Sequence, residues 1–250
     1  MQYATRISLA AIMLSLLISS DPMAGVNMPA FRAEEASRLI AMLLSSGRVV
    51  IDRNQTLIND PKKGDKGFGP EEFERQVIRE FRTRTGVDLT NPALTHLPGS
   101  VTELLGELLQ SSKEVVKEAQ PVINQVGVEY KNFIPAIFGS RVSERFSATT
   151  GIRLKQTTLQ PRNPKNAPDL YEAEVLHRLL TQPSQFVTIS EMPKGDNRLR
   201  LLIPIYYGPD CLQCHGEPAG QLDISGYPKE GAHEGDLAGA ISVSMPIEQQ

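Results

Sequence analysis

The chain of 250 residues has no Trp, two Cys and four His. Two cysteines exclude a disulfide-dense scaffold. They also exclude a structural zinc site built mostly of thiolates, which takes about three or four. No basic block is present: 26 Lys and Arg stand against 29 Asp and Glu, for a net charge of −3. The positive footprint of a nucleic-acid binder is therefore missing. No apolar run reaches the roughly 18 to 20 residues of a membrane span. What is there suits a packed core: 40% of residues are hydrophobic and 22% charged, which argues against disorder. The length allows one large domain or two small ones.

Residues 1–25 read as an export signal. Arg6 and the free amine supply positive charge, and an apolar stretch of twelve residues follows from Ile7 to Ile18. That length fits a signal h-region and is short for a transmembrane helix. Ala24 is the candidate last removed residue, although Pro22 is unfavourable there; an uncleaved anchor is the alternative. Either reading places residues 26–250 outside the cytoplasm, in the periplasm.

The two cysteines fall in Cys211-Leu212-Gln213-Cys214-His215. This is C-x-x-C-H, the attachment motif of c-type haem. Two thiols three residues apart can reach the two vinyl groups on one edge of a porphyrin, and the next residue sets an imidazole under the iron as axial ligand. A thioredoxin-like dithiol is a competing reading, but such a pair follows an early strand of a βαβ unit and opens a long helix. Here Gly216, Glu217, Pro218 and Gly220 follow at once. A partial zinc site lacks third and fourth ligands. The motif thus implies one covalent haem c and its iron, held by Cys211, Cys214 and His215.

Helical signals dominate the first 150 residues. Apolar periodicity predicts a helix over 31–58, ended by Asn59-Asp60-Pro61. Pro70, Glu71 and Glu72 open a second helix, with Phe73, Val77 and Phe81 on one face and Gly86 beyond its end. Residues 91–99 read as a loop. Ser100-Val101-Thr102-Glu103 has the form of a capping box for a third helix to about Glu118. A fourth spans 133–150, interrupted near Pro135 and stopped by Gly151.

Strand signals then take over. Residues 152–159, 185–192, 197–207 and 237–247 read as strands, with a Pro-rich loop at 161–168 and a short helix capped by Asp169 and Glu172. Leu199, Leu201, Ile203 and Ile205 share one face, opposite Arg198 and Arg200; Ile241, Val243 and Met245 share a face of the last strand. Helices first and strands second predict an α+β fold with an antiparallel sheet and the C-x-x-C-H motif before the last strand. A four-helix-bundle cytochrome is the alternative, but about ninety residues of strand-like sequence separate such a bundle from the motif.

Several segments together resemble the bacterial c-type haem sensor domains with a PAS-like fold. They are Arg48 to Gln55 with Ile58-Asn59-Asp60; Pro161 to Pro168 with Asp169 and Glu172; and Cys211 to Gly216 followed by Gly226 to Gly231 and Gly235 to Gly239. The resemblance implies one domain over 26–250, a haem docked on a PAS-like sheet, His215 as proximal ligand, and a role in sensing redox state or a diatomic gas. Relatives often precede a membrane helix and a kinase or chemoreceptor module. None is read here, so a membrane signalling protein or redox partner is implied.

The second axial position is open to His96, His177, His233, Met42, Met192, Met245, water or nothing. Two firm ligands suit electron transfer, and an open position suits sensing. Arg162, Arg198 and Arg200 are candidate propionate partners, since Arg grips carboxylates in a fork. Asn163 and Asn166 are expected to pin the Pro-rich loop. No Ser/His/Asp set, phosphate loop or acid–base pair is visible, so a non-enzymatic role is expected. A periplasmic electron-transfer cytochrome is the alternative function, and a haem-dependent redox enzyme a third. The long N-terminal helices are compatible with a homodimer.

Overall fold

The computed structural model describes residues 28–91, 96–181 and 188–248. The export signal and part of the strand expected over 185–192 lie outside them.

Helices come first. α1 spans Ala30–Arg53, α2 Gln55–Ile58, α3 Pro70–Thr85, α4 Gly99–Ile123 and α5 Pro135–Thr150. Four strands follow, β1 Arg153–Thr157, β2 Ile189–Glu191, β3 Arg198–Tyr206 and β4 Leu237–Pro246, with α6 at Leu170–Thr181 and a one-turn α7 at Leu212–His215. The sheet is antiparallel, in the order β1-β4-β3-β2. The expected α+β class and antiparallel sheet are those observed.

The alternation read along β3 and β4 divides the core in two. Leu199, Leu201, Ile241, Val243 and Met245 face the helical side, where α1 packs on β3 and β4 and α5 on β1, and share one core with the bundle. Leu202 and Ala240 face away, against Val175, Leu176 and Leu179 of α6. The result is three layers: a helical bundle, the sheet, and α6. Phe73 and Phe138 meet at 5.2 Å between ring centroids in the bundle. Gly47 lets Phe138 approach, since a Cβ there would stand 2.9 Å from the ring.

Several boundaries differ from the sequence expectation, each for a local reason. The first helix breaks at Asn54, whose side-chain amide donates to the Val50 carbonyl at 2.8 Å and competes with the helical ladder. The capping box at Ser100 does not form. The helix starts at Gly99 with Pro98 as N-cap, and the amides of Val101 and Thr102 donate to the Pro98 carbonyl. Ser100 is then already inside the first turn, where its hydroxyl cannot cap. The same helix runs on to Ile123 past Pro121, because Ala119 and Ile123 still face the core. Pro135 starts α5 instead of interrupting it, as its missing N–H costs nothing at the first helical position. Gly86 and Gly151 end α3 and α5 in the left-handed conformation, as expected.

Candidate functional site

β3 leads straight into the C-x-x-C-H motif. Its pairing with β4 slips at Ile205 and Tyr206, and residues 207–236 then leave the sheet as a loop. The base of the loop is closed: the Tyr207 amide donates to Asp236 O and the Gly235 amide to Tyr207 O, both at 2.9 Å. Within it, Cys211 ends a 3₁₀ turn, and Cys214 and His215 lie on α7. The three motif residues therefore share about one helical turn, and both thiols are free and half-buried.

Downstream residues fold back on this turn. The Ala232 amide donates to His215 O at 2.8 Å, and residues 220–229 form a small hairpin with Leu222 opposite Pro228. At its tip the Asp223 carboxylate accepts from the amides of Ser225 and Tyr227 and from the Ser225 hydroxyl.

A second segment clamps the loop. Arg162, in the Pro-rich stretch, forks onto Glu230 (Nε to Oε1 2.6 Å, an Nη to Oε2 2.9 Å). It also donates to Asp223 at 2.6 Å and to the Cys214 carbonyl at 2.8 Å. The stretch is itself pinned as expected: Asn163 Oδ1 accepts from the Lys165 amide at 3.0 Å, and the Thr158 amide donates to the Asn166 carbonyl.

His215 completes the cluster. Its Nδ1 lies 2.8 Å from Glu230 Oε2, and the Tyr207 ring packs on the imidazole at 5.0 Å between centroids. Nδ1 is thus occupied. Nε2, the other ring nitrogen, makes no hydrogen bond among the described residues.

The electrostatics follow from these contacts. Burial opposes ionisation of Asp223, but bonds from Ser225 and Arg162 outweigh it and hold this carboxyl well below the usual range. Glu230 is lowered in the same way, burial being outweighed by Arg162 and His215. Burial, with Asp223 nearby, raises the Cys214 thiol. Burial pushes the Tyr207 hydroxyl up to about 12, helped by Glu230, so it stays protonated at neutral pH. Arg48 and Asp52 of α1 approach from the Cys211 side. Burial pulls Arg48 down to about 10 against the influence of Cys211 and Asp52, and burial with Asp210 raises Asp52.

The structure brings Cys211, Cys214, His215 and Arg162 together. It places the other candidates elsewhere. Arg198 donates to Ser244 Oγ at 2.7 Å, and Arg200 to Asp169 at 2.7 Å while lying over the Tyr171 ring. Met245 is fully buried beside Ser37, and Met42 stands next to Arg84. His96 and His177 are exposed, as is Met192. His233 belongs to the motif loop, near Glu217 and Asp236, and points largely into solvent.

Sequence reasoning assigned no role to Asp223, Glu230 or Tyr207. Glu230 lies fifteen residues beyond His215 and sixty-eight beyond Arg162, in a Gly- and Pro-rich loop with no period to read. Only the closed loop brings them together.

Comparison with known proteins gives three results. No curated protein matches. The crystal structure of the cyanobacterial heme-protein Tll0287 matches at 19% identity, with a TM-score of 0.42, covering 61% of this chain and 98% of that one. The sequence pattern of the family described as Tll0287-like matches residues 99–246, a span that runs from α4 through the motif to the end of β4. The chain belongs to the Tll0287-like family.

Proposed function

We propose that this chain is an exported protein carrying one covalent haem c and sensing redox state or a diatomic gas. The observation that carries the haem reading is the placement of Cys211, Cys214 and His215 within about one turn, with Nδ1 of His215 already bonded to Glu230. A c-type haem needs two free thiols on one edge and an imidazole whose second nitrogen is unused, and the site offers both. Haem binding also agrees with the name of the solved structure in the comparison, a heme-protein.

Cys211 and Cys214 would hold the porphyrin edge and His215 the iron. When bound, haem supplies a one-electron couple and, at an open coordination position, a place for a diatomic ligand. The chain's own residues fix the rest. Glu230 holds the imidazole, Arg162 ties the loop to the Pro-rich stretch, and Tyr207 covers the ring face.

Sensing is supported by where most of the candidate second ligands sit. Met245 is committed to the helical core, and His96, His177 and Met192 are exposed on other segments. A site left open to a small ligand would fit this arrangement, and it would call for a membrane signalling protein or redox partner to receive the signal. Electron transfer is the second reading. It is favoured by the half-buried thiols and the 28% exposed His215 side chain, which bring the attachment edge near the surface.

The test is an optical spectrum of the full chain matured by a c-haem assembly system, oxidised and reduced, with and without carbon monoxide. Covalent haem whose reduced bands shift readily with carbon monoxide supports sensing. A low-spin spectrum indifferent to carbon monoxide moves the assignment to electron transfer. Absence of covalent haem refutes the whole reading.

A further inference from the structure

The proposed haem reading leaves open what sets the character of its axial imidazole, and the contacts of His215 bear on that directly. Its Nδ1 meets a carboxylate, Glu230 Oε2, at 2.8 Å, and that oxygen also accepts from Arg162 at 2.9 Å. Arg162 is shared in turn with Asp223 at 2.6 Å. Two carboxylates against one guanidinium leave one net negative charge beside the ring.

We propose that Glu230 is the positioning residue for His215: it takes the Nδ1–H, fixes the tautomer that leaves Nε2 for iron, and makes the imidazole a stronger donor. The inference rests on the haem reading above. A carboxylate on the outer nitrogen of a metal-bound His orients the ring and raises its basicity. A more basic ligand and a negative charge both favour the more positive ferric iron. Arg162 does not cancel the effect, because its charge is also divided with Asp223. The side-chain exposures of His215, Glu230 and Arg162, 28%, 25% and 22%, keep solvent from screening the group fully. A loop that served only to bind its own chain would leave the iron indifferent to Glu230.

The experiment uses the full chain matured with haem and compares wild type, Glu230→Gln and Glu230→Asp. Covalent haem per chain is measured first; its absence from wild type overturns the haem reading before any variant is compared, and this inference with it. With haem present, the ratio of reduced to oxidised protein is read at fixed solution potential. Glu230→Gln keeps its haem and raises the ratio about tenfold, equivalent to ~59 mV for one electron. Glu230→Asp, which keeps the charge, stays within about threefold of wild type by the same relation. A haem-loaded Glu230→Gln within twofold of wild type, or a Glu230→Asp shift as large as that of Gln, overturns the proposal. Where Glu230→Gln does not take up haem, wild type decides. Under carbon monoxide, the His215 Nδ1–H proton of the ferrous protein exchanges slowly with solvent if Glu230 holds it, and fast exchange overturns the assignment.

Discussion

Replacing Arg162 with Met tests how much of the motif loop's order comes from one side chain. The substitution keeps much of the stem and removes the guanidinium. Lost are the fork on Glu230, the bond to Asp223 and the bond to the Cys214 carbonyl. Charge-assisted hydrogen bonds each contribute about 1.5–3 kcal/mol, but the losses do not add in full. Asp223 has no exposed side-chain surface, yet it keeps its three bonds from Ser225 and Tyr227. Glu230 is a quarter exposed and rehydrates. The net loss is therefore about 2–4 kcal/mol, at or below the range for breaking a buried pair. Urea unfolding of the matured protein reads it as a lowered midpoint with unchanged slope. Hydrogen exchange locates it: the amides of Gly220, Lys229 and Ala232 lose protection before those of β3 and β4. A loss under about 0.5 kcal/mol, the scale of an exposed ion pair, refutes the clamp.

Acid titration should reach the same cluster. Asp223 and Glu230 are both lowered in the folded chain, so their stabilisation is complete above about pH 5 and is lost as pH falls through about 4 and below. Arg162→Met should flatten that dependence, and parallel acid curves for the two proteins would count against it. Gly239 has a φ of +148°, and a Cβ there would clash with the Thr157 carbonyl oxygen. Gly239→Ala should therefore cost at least ~2 kcal/mol in urea unfolding, and a neutral result would mean that β1 yields easily. Replacing both Cys211 and Cys214 with Ala should leave haem extractable by acidified organic solvent, whereas wild type retains it. Haem that stays bound in the double variant would rule out thioether attachment.

What the sequence disclosed was what neighbouring residues decide. Pro70 and Gly86 bracket α3 because each is suited to its end of a helix. The two capping motifs behave differently for a physical reason. Asp169 and Glu172 exchange bonds at 2.8 and 2.9 Å, whereas Ser100 lost its role when Pro98 started the helix earlier. The motif thiols and His215 were legible because a single turn brings them together. Glu230, Asp223 and Tyr207 were not, since their neighbourhood depends on a loop closing through Tyr207, Gly235 and Asp236. Arg162 was a candidate for the right segment, but the structure shows its donors directed to two carboxylates and a backbone carbonyl. The strand order was also beyond local reading, because nothing local places β4 between β1 and β3.

That central place of β4 bears on how the molecule is made. β1 and β3 are joined only through β4, the last strand in the sequence. As the chain emerges, residues 211–215 come out before the strand that closes their loop. Until residues 237–246 follow and pair, β1 has no strand partner, β3 pairs with β2 alone, and the thiols sit on an open segment. Pairing of the final strand then closes the loop base at Tyr207 and lets Arg162 take hold of Glu230. The order of synthesis thus leaves an interval in which Cys211 and Cys214 are more accessible than in the closed loop, the interval that the proposed haem attachment would use.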